Sequence, residues 1–257
     1  AGQMSLTNVL TISRSARNII LLGDPQQLEQ PQKGAHPEGA DISALDHILD
    51  GNKTMPEDMG LFLGITWRLH PFITQFTSTL YYEGRLNSKE GLEKQKLDGN
   101  SPFSGSGLFH VPVVHFGNQS QSKEEVEAIV KIVNHLMSAK INWIDREGVS
   151  RSLQQNDILI IAPYNAQVSA LQEALSGFSV GTVDKFQGQE APIVIYSMTS
   201  SSLEDAPRGM SFLYNPNRMN VATSRAKCTS ILVSTPRIFE VECNTIEQMK
   251  WANGICL

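Results

Sequence analysis

YNPNRMNVATSRAKCTSILVS, Tyr214 to Ser234, joins a helix start to a β-rich run with no loop between them. Asn215 can cap free backbone amides, and Pro216 suits the first helical position. The pattern predicts a helix running to about Lys227, with Arg218 and Arg225 two turns apart on one stripe beside Val221 and Ala222. Ser230 to Ser234 then reads as a strand. A helix feeding straight into an apolar strand is half of an α/β unit. Arginines beside residues that want burial raise a second question, because a buried unpaired charge costs several kcal/mol. An anion is expected to visit that face.

Upstream of this stretch the same alternation recurs. Glu124 to Ala139 carries Val126, Ile129, Val133 and Leu136 in helical register, and DILIIAP reads as a strand. NAQVSALQEAL places Val168, Leu171 and Leu175 on one helix face, and VGTV and PIVIYSM read as strands. Strands alternating with helices predict an α/β fold: a parallel sheet with helices on both faces. Nearer the N-terminus, NIILLGD (Asn18 to Asp24) and LFLGITWR read as strands, and LFHVPVVHF as one whose Pro112 favours an edge. Met4 to Ile12 reads as a short helix, and Ser43 with Asp46 as the capping box of another. HPFITQFTSTLYY reads as a helix with Phe72, Phe76 and Leu80 on its apolar side. Residues 50–60 read as a hinge and 87–107 as loop.

Composition narrows the function. A hydrophobic share of 40% and a charged share of 18% suit a globular chain rather than a disordered one. No apolar run is long enough to span a bilayer, so no membrane partner is expected. Cys228, Cys243 and Cys256 form no CxxC pair, which reads as reduced thiols in a cytoplasmic protein and offers no metal site. The net charge of −5 excludes a generally basic coat, so any polyanion must be held by a local patch.

In parallel sheets ligands gather at the carboxyl ends of strands, and four polar clusters are expected there. GDPQQL is alternatively a tight Asp-Pro turn, and TWRLHP a core Trp with a surface Arg. APYNAQ places a helix start after a strand, a seat for phosphate but a common feature. GTVDKFQGQE packs two amides and two carboxylates around Gly188, more donors and acceptors than a plain polar loop explains.

Taken in order, GDPQQL, WRLHP, PYNAQ, VDKFQGQE and NVATSRA resemble motifs III to VI of superfamily 1 helicases, nearest the 5′→3′ branch that includes nonsense-mediated-decay and Okazaki-processing helicases. YYEGRL, Tyr81 to Leu86, is similar to a run of that family. The resemblance implies a RecA-like fold of the P-loop NTPase class. Residues 1–52 would be a remnant of the first lobe carrying motif III, and 53–257 the second motor lobe. The opening AGQM resembles the residues just after the Asp-Glu pair of motif II, which implies a C-terminal fragment beginning there. GxxxxGK[ST] does not occur, so the fragment alone is expected to be inactive.

The resemblance also implies roles. Arg225 matches the motif VI arginine that reaches the γ-phosphate, Arg68 the motif IV arginine with a similar task, and Gln27 the motif III glutamine that senses that phosphate. Trp67 stands where relatives stack an aromatic on adenine, a core Trp being the alternative. Gly188 and Glu190 belong to motif V, with Glu190 near the ribose. Thr182, Tyr164 and Asn165 resemble contacts to strand phosphates. Arg218 either assists or pairs with a carboxylate, and Asp184, Lys185 and Gln187 shape the motif V loop. The implied ligands are ATP with Mg2+ in the intact parent, neither held tightly by the fragment. The implied partners are single-stranded DNA or RNA and the N-terminal RecA-like lobe. A non-hydrolysing nucleic-acid-binding or scaffold module with the same fold is the competing reading.

Overall fold

The apolar runs at 158–161, 191–197 and 226–234 show no polar alternation, as strands buried on both faces require. A computed structural model describes residues 2–28 and 42–256. Its N-terminal part holds α1 (Leu6–Ser13), α2 (Ala44–Leu49), β1 (Ile65–Thr66), α3 (Pro71–Tyr81), β2 (Asn87–Ser88), β3 (Lys96–Asp98) and β4 (Gly107–Pro112). Then come α4 (Lys123–Ser138), β5 (Asn142–Ile144), β6 (Ser150–Ser152), β7 (Ile158–Ile161), α5 (Asn165–Ala174) and β8 (Ser179–Gly181). The chain continues through β9 (Ala191–Ser197), α6 (Met210–Leu213), α7 (Pro216–Thr223), β10 (Ala226–Ser234) and α8 (Ile246–Cys256).

Five strands form a wholly parallel sheet in the order β4-β10-β9-β7-β8. Alternate residues split the core in two. Ile158, Ile160, Ile193 and Ile195 cluster with Ile129 and Val133 of α4 and Leu171 of α5. Leu159, Ile161, Val194 and Tyr196 cluster with Ile73 of α3, Leu213 of α6 and Met219 and Val221 of α7. Helices therefore cover both faces, and β4 with its Pro112 is an edge strand, as the sequence predicts. Ser43 caps α2 by accepting from Asp46 N at 3.0 Å.

Several expectations fail. Residues 18–24 form no strand, and Ile20 and Leu22 are 83% and 76% exposed. LFLGITWR pairs only at Ile65 and Thr66, against β2, so a stretch expected to be loop supplies its partner. The buried side of α3 is Ile73, Thr74, Thr77, Ser78 and Tyr81, while Phe72 is 62% exposed. Thr74 is buried with its hydroxyl satisfied, donating to Leu69 O and accepting from Ser88, whereas the Thr77 hydroxyl is buried without a partner. Within 87–107, β3 joins β5 and β6 in a three-stranded antiparallel sheet that no periodicity announced. Finally, α7 stops at Thr223 and β10 begins at Ala226, so Arg218 and Arg225 share no helical stripe. Ala1, within the AGQM opening, and residues 29–41 of the expected first-lobe segment lie outside the described residues.

Candidate functional site

Arg225 comes after Ser224, the C-cap of α7, and leads into β10, with its carbonyl accepting from Ala191 N at 3.0 Å. That bond pins it beside the start of β9. The residue is 3% exposed, and its Nε and Nη2 have no hydrogen-bond partner. Burial foremost, then the like charge of Arg68, push the guanidinium down to about 10, with Glu190 pulling the other way. Glu190 stands immediately before β9 at the same edge. Arg68 donates from Nε to Glu190 Oε2 at 2.5 Å and from Nη1 to Ser224 O at 3.1 Å. Lys227, on β10, reaches Glu190 Oε1 at 3.0 Å. Burial alone would raise the Glu190 carboxyl, but the hydrogen bonds and charges of Arg68 and Lys227 outweigh it and hold it below its ordinary value.

The cluster thus carries three cations around one carboxylate, at the amino ends of β9 and β10. Glu190 and Arg225 stand at amino ends, against the expectation that the polar clusters gather at carboxyl ends, whereas TWRLHP and APYNAQ do follow β1 and β7. Gly188, in open space with φ +83, makes the turn that brings Glu190 to this edge. Trp67 is 63% exposed with Lys89 Nζ 5.0 Å from its ring, which removes the core-Trp alternative. Trp67, Arg68, Glu190 and Lys227 line a cleft of about 370 Å³ together with Trp143 and Arg151, and Lys227 Nζ lies 5.7 Å from the Trp143 ring.

Gln27 lies on the 24–27 turn, donating from Nε2 to Asp24 Oδ2 at 2.8 Å. Tyr82 also donates to Asp24 Oδ2, at 2.5 Å, and Asn220 of α7 donates to the Tyr82 hydroxyl at 3.0 Å and to Gln26 O at 2.8 Å. The helix that precedes Arg225 therefore grips the turn that carries Gln27.

Thr182, Tyr164 and Asn165 come after β8 and β7, at the opposite, carboxyl edge. Thr182 is half-buried, Tyr164 is buried with its hydroxyl 3.4 Å from Ser200 Oγ, and Asn165 opens α5 with its side chain exposed. Loop 182–190 runs from this edge to the arginine cluster. Arg218 pairs with Asp184 Oδ2 at 3.1 Å and Lys185 donates to Val180 O at 2.8 Å, so these residues brace that loop. Sequence reasoning passed over Lys227, Gln95, Tyr82 and Asn220 as site neighbours. Of these, Tyr82 within YYEGRL and Asn220 at the start of NVATSRA left a readable signal. Among the described residues no three His, Cys, Asp or Glu side chains converge as metal donors, and no helix is long and apolar enough to cross a membrane.

Residues 41–237 match the AAA domain family. Helicase sen1 of Schizosaccharomyces pombe is 27% identical over 250 residues, covering 91% of this chain and 14% of that protein. The DNA polymerase alpha-associated DNA helicase A of the same organism is 28% identical over 221 residues, covering 81% of this chain and 32% of its own length. A regulator of nonsense transcripts 1 homolog of Neurospora crassa is 26% identical over 237 residues, with 86% of this chain and 20% of that protein covered. The chain thus spans no more than 32% of the length of these relatives.

Proposed function

Because the chain belongs to the AAA domain family and is a superfamily 1 helicase of the type shared by Sen1 and the regulators of nonsense transcripts, we propose that it works as the second motor lobe of an ATP-driven nucleic-acid translocase. Residues 53–257 form that lobe in this reading, and the segment before it brings the Gln27 turn of the first. The observation that carries it is Arg225: a buried guanidinium with unpartnered Nε and Nη2, pressed against a second arginine. Such a group is costly unless an anion meets it. Phosphoryl transfer asks a protein chiefly to stabilise charge on the transferred group, and planar forks suit that task.

Arg225 and Arg68 take the terminal phosphates, Glu190 the ribose hydroxyls and Trp67 the base. The arginine cluster would fit a triphosphate whose oxygens reached the orphaned donors of Arg225, which is buried beside the cleft that Arg68 lines. ATP would supply the transferable phosphoryl group, and these residues bind and orient it. The described residues offer no donor set for Mg2+, and no role here runs through it. Gln27, on the turn that α7 grips, follows the phosphates in this reading. Thr182 and the amides opening α5 at Tyr164 and Asn165 hold phosphates of a single strand, helix-start amides being partly positive. Loop 182–190 couples the two edges.

The 257-residue chain carries no GxxxxGK[ST] loop and is expected not to turn over ATP by itself. In a full-length protein bearing this lobe, Arg225→Lys should lower ATP turnover by about 10³-fold, the scale of an arginine finger. Lysine keeps the charge and loses the fork. Near-normal turnover in that variant would show Arg225 to be structural and defeat the reading.

A further inference from the structure

Part of the lining of the cleft that Trp67 shares comes from the antiparallel hairpin β5–β6, an element to which neither the motifs nor the resemblance gives a role. Trp143, Asp145 and Arg151 all line the cleft. Their placement is a consequence of strand geometry. Trp143 and Arg151 are directly paired across β5 and β6, so they share a face, and Asp145 lies two residues beyond Trp143 on the same side. Trp143 also pairs with Leu97 of β3, whose burial anchors this face to the core.

The hairpin is held rigidly. Asp145 Oδ1 accepts from Glu147 N at 3.0 Å and Val149 N at 2.9 Å, which fixes the turn. Its Oδ2 takes both Nε and Nη2 of Arg151, at 3.0 and 2.8 Å, leaving Nη1 for another acceptor. Arg146 is the turn's other cation and is paired with Glu147 at 2.9 Å. The sheet is also mounted on the arginine cluster: buried Gln95, just before β3, donates to Arg68 O at 2.8 Å and to Lys227 O at 3.3 Å.

We propose that the β5–β6 hairpin is the outer wall of the base pocket of a nucleotide: the base lies on the exposed Trp67 indole, and its edge accepts from Arg151, which Asp145 holds in position. The proposal rests on the nucleotide reading of the cleft and extends it to residues outside the motifs. Three observations favour a base over a second phosphate here. An indole 63% exposed offers a large flat apolar face with nothing on it but a lysine. The hairpin cations are already paired with Asp145 and Glu147, so the wall presents directed donors with little net charge. The volume of about 370 Å³ falls within the span of small-ligand pockets and connects directly to Glu190 and Arg68, where ribose and phosphates belong. Arg151 is thus a base-contacting residue and Asp145 a positioning residue.

The test is calorimetric titration of the 257-residue chain with ATP and with inorganic tripolyphosphate, which shares the charge and lacks the nucleoside. ATP should bind about tenfold more tightly, the contribution of one stacked and hydrogen-bonded base. Arg151→Ala and Asp145→Ala should each bring ATP to the affinity of tripolyphosphate while leaving tripolyphosphate within about twofold of its original value. Arg151 is more than half exposed, so its variant folds whatever the fate of the turn in the other. Equal binding of the two ligands by the unaltered chain overturns the inference and leaves the phosphate cluster standing. Equal weakening of both ligands in the Arg151 variant makes the hairpin a mere source of charge, which also overturns it. Because this chain alone is expected to hold ATP only weakly, the titration runs to millimolar ligand, and binding of neither ligand there refutes the nucleotide reading of the cleft itself.

Discussion

Arg225 is the residue at which stability and function pull apart. Its guanidinium is withdrawn from water, lacks acceptors on two nitrogens and sits beside Arg68. Replacing a buried, uncompensated charge by an apolar side chain of similar length removes a desolvation cost and leaves a flexible stem that fills the same space. Arg225→Met should therefore raise the thermal stability of the chain, by about 1 kcal/mol or more, while abolishing triphosphate binding. Differential scanning calorimetry beside a ligand titration checks both halves. A variant that is clearly less stable would mean that Arg225 is compensated in a way its geometry does not show. Trp67 presents the same conflict in apolar form, a large ring in solvent that only a ligand or another surface would cover.

Among the elements, α3 shows how a cap can carry pH dependence. Its N-cap is His70, whose Nδ1 accepts from Phe72 N at 3.2 Å, and Pro71 occupies the first helical position. Only the unprotonated nitrogen can accept. Burial holds the His70 imidazole below its ordinary value of 6.5, while the backbone and charge of Glu93 pull it upward without prevailing. The unfolded chain thus takes up the proton more readily than the folded one. The stability that His70 contributes is present above its ordinary value and is lost as pH falls through it. His70→Asn keeps a capping acceptor that does not titrate and should flatten that acid loss, worth about 1 kcal/mol for a cap. Thermal unfolding of both proteins across the mildly acid range decides the matter. An unchanged acid slope in the variant would assign the loss elsewhere, for example to His110, which burial also holds low.

For the molecule as a whole the decisive relation is between the two edges of the parallel sheet. Arg68, Glu190 and Arg225 lie at the amino ends of β9 and β10, and Thr182, Tyr164 and Asn165 at the carboxyl ends of β7 and β8, with loop 182–190 between them. The proposed single-strand contacts at the second edge are a hydroxyl and helix-start amides, in a chain of net charge −5. Neutral donors displace few counterions, so binding of a short homopolymer should be weak, indifferent to sequence and shallow in salt, with a log–log slope of about one or two. Thr182→Ala should weaken it further without touching triphosphate binding at the other edge. A slope as steep as about five would reveal a basic recognition surface and contradict the assignment.

Residue order alone dictates the parallel sheet and its helical cover, because doubly buried strands must be continuous apolar runs and amphipathic helices must repeat every turn. It also marks which residues are chemically unusual, since two arginines beside apolar neighbours need an anion wherever they end up. Long-range packing sets where the helix before Arg225 stops, and hence that this arginine is carried by the junction of α7 and β10. Packing likewise turns Phe72 outward and Thr74 inward, because a hydroxyl that finds partners can be buried as readily as a methyl group. It alone brings Trp143 and Arg151 into one cleft with Trp67. That grouping spans more than seventy residues of chain and depends on hydrogen bonds that Gln95 donates and Asp145 accepts, which no local periodicity records.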